Sequence, residues 1–192
     1  ILRSDKTRKA FDLSLEKPET RARYGADNFG QSALAARRLV ESGVRFVTIS
    51  IGGWDTHSKT FESHSKKLQP TLDNTLSALI ADLSDRGMLD RTMVYCAGEF
   101  GRTPKVNKNV GRDHWARSMA VVLAGGGFKR GYAHGTTDAQ GMAAATDPCL
   151  PDDVSSTIFA NLGIDPKLEI NSSTGRPIQL FREGTVVDKL LA

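Results

Sequence analysis

The chain has 192 residues, 39% of them hydrophobic and 25% charged, a balance that marks a globular protein and excludes a disordered tail. No apolar run approaches the roughly 20 residues that span a bilayer. The net charge of +4 comes from residues 1–50, where ten Lys/Arg face six Asp/Glu without interleaved aromatics, so neither a membrane span nor nucleic-acid binding is expected.

The chain opens on Ile1-Leu2 without a Met and runs straight into a charged, helix-like stretch over residues 3–9, with no apolar core of a signal peptide behind it. An interior cut of a longer protein is expected there. Residues 29–42 predict a helix, with Leu34, Ala35, Arg38 and Leu39 near a 3.6-residue period and Gly43 as its stop. Residues 44–51 are rich in β-branched side chains and predict a buried strand. A long helix follows over 60–86, striped by Leu68, Leu72, Leu76, Leu79, Ile80 and Leu83, with a kink or break expected near Pro70. Residues 92–97 predict the next strand. Strand, helix and strand form a right-handed βαβ crossover, which sends both strand ends to one edge of a parallel sheet. Residues 118–124 give a third strand closed by Gly125-Gly126-Gly127. Residues 131–150 read as irregular, 152–162 as a helix, and 177–181 as a short strand. Three good strands make a thin sheet, so the α/β pattern is expected to be part of a larger domain. Cys96 lies in an apolar run and Cys149 in a loop; two cysteines are too few for a disulfide framework.

Three polar islands punctuate these elements. Gly52-Gly53-Trp54-Asp55-Thr56-His57 and Gly98-Glu99-Phe100-Gly101-Arg102-Thr103-Pro104 each follow an apolar run, and Gly111-Arg112-Asp113-His114-Trp115 precedes another. Ligands bind at the carboxyl ends of strands in open α/β sheets, so the islands point to one metal-dependent, anion-handling site. Asp55 and His57 offer a carboxylate and an imidazole two residues apart, a set that suits zinc or manganese better than calcium. Asp55 as a helix cap and His57 as a surface histidine are the plainer alternatives. Glu99 sits past a strand where no helix needs a cap; it can reach a metal or pair with Arg102. His114 can be a ligand or a structural histidine, with Asp113 or Asp138 as its orienting carboxylate. His64 reads as helix surface. Seven basic residues against two acids over 99–131, Arg102 and Arg112 among them, would draw in an anionic substrate. The sequence has no G-x-S-x-G, P-loop or dinucleotide fingerprint.

In order, GGWDTH, the Leu-striped helix ending in DRGMLDRT, GEFGRTP, GRDHW, AGGG and GTTDAQG resemble one bacterial family, domain of unknown function 1501, over about residues 29–165. That family is placed in the alkaline phosphatase and sulfatase-like superfamily. The resemblance implies an alkaline-phosphatase-like parallel sheet flanked by helices, of which residues 1–192 would be the C-terminal part. It implies a metal-dependent hydrolase of phosphate or sulfate esters, acting on an anionic small molecule or polysaccharide. Asp55, His57 and His114 would hold one divalent ion, with Arg102 and Arg112 clamping the anion. Glu99-Phe100 stands where superfamily members have Asp-His, so a second ion needs a further ligand. The superfamily nucleophile and first metal-binding Asp match nothing here and are expected upstream. Members often carry a twin-arginine export signal, which implies the periplasm or cell surface. The alternative is a non-catalytic, metal-stabilised or polysaccharide-binding relative.

Overall fold

The computed structural model describes residues 4–192. They divide into two units, one comprising the chain up to Leu89 with Lys105–Asp113, the other Asp90–Pro104 with His114–Ala192.

The first unit is helical: α1 (Asp5–Phe11), α2 (Pro18–Arg23), α3 (Asn28–Glu41), α4 (Thr60–Ser63) and α5 (Gln69–Asp85). Asp27 starts α3 because its carboxylate accepts from the free amides of Phe29 and Gly30, both at 3.0 Å. Gly43, at φ +102°, turns the chain out of it. The core packs Ala33 and Leu34 of α3 against Tyr24 and Ala78, with Leu13, Ile49 and Leu79 around them. Burying a side chain the size of Leu34 stabilises the fold by about 1.5–3 kcal/mol.

The long helix is continuous over 60–85, but His64–Leu68 between α4 and α5 is π-helical, closed by the Gln69 amide donating to the His64 carbonyl. Pro70 explains the wider turn: it has no amide to give, and its ring would strike the carbonyl four residues back. The buried residues along α5 are Thr75, Ala78, Asp82 and Leu83; of the leucine stripe Leu68 and Leu83 are buried, while Leu72, Leu76, Leu79 and Ile80 are half-buried.

That burial surrounds a charge cluster. The Arg37 side chain is fully buried, with Nη1 2.5 Å from Glu41, Nη2 2.8 Å from Glu16 and Nε 2.9 Å from Asp82. The last two contacts are ion pairs. Asp82 also accepts from the Tyr24 hydroxyl at 2.9 Å and from Arg86 Nε at 2.8 Å. Burial pushes the Asp82 carboxyl up, but hydrogen bonds from Arg86 and Tyr24 and the charge of Arg37 outweigh it, leaving it below the ordinary range. Glu16 follows the same pattern, with burial opposed by Arg37 and Arg38. Groups that ionise more readily in the folded chain stabilise it above their unfolded pKa of about 4 and lose that contribution as pH falls through the folded values. Thermal melts run from neutral pH downward are therefore expected to show stability falling below about pH 4.5. Glu16→Gln should be less stable at neutral pH with a shallower acid slope; equal slopes would refute the assignment.

The second unit carries β1 (Val94–Cys96), β2 (Gly101–Arg102), β3 (His114–Trp115), β4 (Val122–Ala124), β5 (Thr136–Thr137), β6 (Ala144–Thr146), β7 (Glu169–Asn171) and β8 (Pro177–Gln179), with α6 (Pro151–Asn161). They pair as four antiparallel two-stranded ribbons, β1–β4, β2–β3, β5–β6 and β7–β8. The mixture of helices and short strands is α/β in the coarse sense, but the expected parallel sheet is not found among the described residues. Residues 44–51 join no ladder, and Phe46 within them is 84% exposed. β1 instead pairs antiparallel with β4 in the register Val94↔Ala124 and Cys96↔Val122. A β-branched run reports the capacity to pair and says nothing of its partner. The stretch expected to be irregular holds the β5–β6 hairpin, whose turn is tied by Asp138 accepting from the amides of Gln140 and Met142. Both cysteines are free thiols, and burial pushes the thiol of Cys96 up.

Candidate metal centre

The first island lies in the helical unit. Gly53 takes φ +92°, a left-handed shape that side chains avoid, and so turns the chain into Trp54-Asp55-Thr56-His57. The His57 ring lies between two carboxylates. Its Nε2 is 2.9 Å from Asp55 Oδ1 and its Nδ1 is 2.6 Å from Asp113 Oδ1, all three side chains being about half exposed. Asp55 is thus turned to the imidazole two residues on and caps no helix; the N-cap of α4 is Lys59. Asp113, one of the two carboxylates considered for orienting His114, bonds to His57.

The loop that delivers Asp113 is pinned at several points. Asn107 Oδ1 accepts from the amides of Asn109 at 2.9 Å and Gly111 at 3.0 Å. Its Nδ2 faces the His57 carbonyl at 3.0 Å and both Asp113 oxygens at 3.1 and 3.2 Å. Lys59 and Thr60 donate to the carbonyls of Asn109 and Val110, and Arg112 donates to the carbonyl of Thr56. Val110 is held at φ +58°, an uncommon backbone for a β-branched residue and one that the surrounding bonds must enforce. Gly111 has no room for a side chain: a Cβ there would lie 2.0 Å from the His57 carbonyl carbon.

Thr56 points the other way and is buried, its hydroxyl 2.7 Å from that of Thr60 and 3.4 Å from His64 Nε2. The Trp54 ring meets His64 edge-on at 5.1 Å. His64, read from sequence as helix surface, is half-buried; burial and then the Arg112 charge hold its pKa below the usual imidazole value. The Arg112 guanidinium lies 5.9 Å over the Phe61 ring, beside a cleft lined by Thr60, His64, Ser65 and Gln69.

Glu99, Arg102 and His114 fall in the second unit. Arg102 Nη2 donates to Glu99 at 3.3 Å, so the acid stands in the ion-pair arrangement that was its plainer alternative. Arg102 also lies 5.2 Å over the Phe100 ring, and its Cα pairs with that of His114 across the β2–β3 ribbon. The exposed His114 ring meets Phe100 at 4.6 Å between centroids, the two planes tilted by 52°. Trp115 Nε1 donates to the Met142 carbonyl at 2.7 Å. Asp138 is occupied by its own turn and is no orienting partner for the His114 ring.

The donor chemistry of Asp55 and His57 fits a divalent ion. Two tetrahedral ligands at the usual zinc distances of about 2.0–2.2 Å stand roughly 3.3 Å apart. The 2.9 Å separation found between Asp55 Oδ1 and His57 Nε2 needs only a small opening to match. Asp113 on the far nitrogen is the outer carboxylate that orients most metal-bound histidines. Asn107 was the residue that sequence reading missed, since an asparagine in Val106-Asn107-Lys108-Asn109-Val110-Gly111 signals a turn before it signals a site.

The profile of a family described as "Protein of unknown function (DUF1501)" matches residues 3–191. No curated protein and no solved structure matches the chain.

Proposed function

The chain belongs to the DUF1501 family, and from that footing we propose that it is a metal-dependent hydrolase of phosphate or sulfate esters, of the alkaline phosphatase and sulfatase-like type. The observation that carries this reading is the aligned trio Asp55, His57 and Asp113, two carboxylates on the two nitrogens of one imidazole. Asp55, His57 and His114 are the donors we assign to a zinc or manganese ion. His114 follows Asp113 directly, so its Cα is tethered about 3.8 Å from a residue already bonded to His57. When bound, the ion would supply Lewis acidity to an ester oxygen.

The chain's own residues would divide the remaining work. Asp113 holds the His57 ring so that one nitrogen is presented to the ion. Arg112 and Arg102 would bind the charged oxygens of the substrate, since a guanidinium meets two such oxygens at once. Phe61 and Phe100, each beneath one of these guanidiniums, restrict where they point. The pairing of Glu99 with Arg102 favours a second reading, a relative that keeps the metal and not the reaction.

Calorimetry with zinc and with manganese tests the centre. The purified protein is expected to bind, and Asp55→Ala and His114→Ala should each weaken binding at least tenfold. Absence of binding, or unchanged binding in both variants, would overturn the proposal. Hydrolysis of 4-nitrophenyl phosphate or sulfate, lost on chelation, separates the readings. Tight metal binding without turnover of either ester leaves the non-catalytic one standing.

A further inference from the structure

We propose that the cleft beside Arg112 holds the alcohol half of the ester, and that it is shaped for a hydroxyl-bearing ring of the sugar type. The inference rests on the hydrolase reading above and adds to it a substrate class and the residues that select it.

The cleft has a volume of about 480 Å³, within the range of small-molecule sites, and its lining belongs wholly to the helical unit. Thr60, Phe61, His64, Ser65 and Gln69 come from one stretch of helix and are joined there by Arg112. The π-helical turn decides that Gln69 is among them. In an unbroken α-helix Leu68 would follow His64 on the same face, and Gln69 would lie about 140° away around the axis. Here the backbone amide of Gln69 donates to the His64 carbonyl, so the turn takes in one more residue and Gln69 comes round beneath His64. Leu68 is buried close to Gly53, while Gln69 stays exposed on the cleft wall. The slip exchanges a leucine for a carboxamide on this face.

The groups so assembled suit a polyol. Phe61, 54% exposed, offers an apolar surface to the C–H groups of a ring. Ser65, Gln69 and His64 add a hydroxyl, a carboxamide and an imidazole, which between them donate to and accept from hydroxyls. The Gln69 carboxamide makes no hydrogen bond to any described residue, so a ligand displaces only water from it. Glu62, also at the cleft, is paired with Lys66 at 2.8 Å and sets no bare carboxylate against an anion. Two links join the cleft to the candidate centre. Arg112 directly precedes Asp113, which bonds to His57, and the Thr60 hydroxyl meets that of Thr56, the residue between Asp55 and His57. An ester whose charged oxygens reach Arg112 thus has its alcohol carbons beside Phe61 and Gln69.

Chemical-shift titrations of the nitrogen-15-labelled protein test this, with the Gln69 carboxamide and the Trp54 indole, edge-on to His64, as reporters. Glucose 6-phosphate should shift both signals and bind about tenfold more tightly than inorganic phosphate. Gln69→Leu, at an exposed helical position, should keep the melting temperature and narrow that ratio by about 2–10-fold, the worth of one hydrogen bond. Phenyl phosphate, which brings a ring without hydroxyls, should bind more weakly than the sugar phosphate. A wild-type ratio near one, a ratio unchanged in Gln69→Leu, or phenyl phosphate bound as tightly as glucose 6-phosphate would each overturn the inference. Absence of glucose 6-phosphate binding would overturn it equally. Failure of the hydrolase reading looks different. Zinc binding and ester turnover alongside a ratio near one would retain the reaction and remove the role of the cleft. Selective binding of glucose 6-phosphate without metal binding or turnover would keep the sugar site and remove the hydrolase.

Discussion

Gly111→Ala should be among the most damaging single substitutions in the protein, weakening zinc binding more than tenfold and lowering stability by about 1–3 kcal/mol or more. A Cβ at that position would overlap the His57 carbonyl carbon at 2.0 Å, its oxygen at 2.1 Å and the Ser58 amide nitrogen at 2.4 Å. All three are backbone atoms and cannot swing aside as a side chain tip would. The loop has to retreat, and Asp113 retreats with it. Gly52→Ala is the matched control, because a Cβ there meets nothing within 4 Å although the residue sits in the same island as Asp55. Calorimetry and thermal melts on the two variants should separate them clearly. Equal metal affinity in Gly111→Ala and wild type would mean that the loop does not set the geometry of His57.

Arg37→Met is expected to cost about 3–5 kcal/mol, enough to unfold much of a marginally stable helical unit near room temperature. The substitution removes the fully buried one of the two cations, Arg37 and Arg86, that three acids share, with Glu16 at 2.8 Å, Glu41 at 2.5 Å and Asp82 at 2.9 Å from Arg37. Methionine fills much of the volume, so the loss measures charge left without its counterpart more than a cavity. Arg86 and Arg38 remain to neutralise part of it, which sets the lower end of the range. The double variant Arg37→Met, Asp82→Asn should recover part of the loss. An unfolding free energy for Arg37→Met within about 0.5 kcal/mol of wild type, the scatter of an ordinary surface change, would show that the cluster contributes little.

Much of the helical half was legible because its signals are local. Asp27 before α3 and Gly43 after it mark the helix ends by their own chemistry, and Gly43 ends the helix as expected. Pro70 announced a disturbance in the long helix, and the π-helical turn lies directly ahead of it. What failed to show was everything decided by a distant partner. Arg37 lies on the buried face of α3, and a charged residue at such a position reads as solvated until Glu16 and Asp82, two acids from other segments, are seen beside it. The leucines of the long helix read as the core stripe, and Leu68 and Leu83 are buried, yet Thr75, Ala78 and Asp82 lie deeper than Leu72, Leu76 and Leu79 because Tyr24 and Arg37 are there to receive Asp82. Residues 44–51 have the composition of a strand and no ladder, since pairing belongs to two segments and composition to one.

The candidate site divides along the same line. Asp55, His57, Asp113 and His114 were named from their residue types, which is what metal chemistry selects. Their partners were not: Asp113 crosses 56 positions to reach His57, and Asn107 spans 50 to the same residue. Glu99 and Arg102 are three residues apart, and their pairing could be read from spacing alone.

The π-helical turn at His64–Leu68 has a consequence for how sequences of this kind compare with one another. A straight α-helix between Thr60, tied to Val110, and Thr75, packed in the core, would need one residue fewer to present the same two faces. The turn absorbs the extra residue as a local widening, so the helix has two phases joined by a slip. Counting every third or fourth position across that joint assigns residues to the wrong side. A one-residue gap placed within it keeps both anchors in step, whereas the same gap a turn earlier or later rotates one of them by about 100° away from its partner.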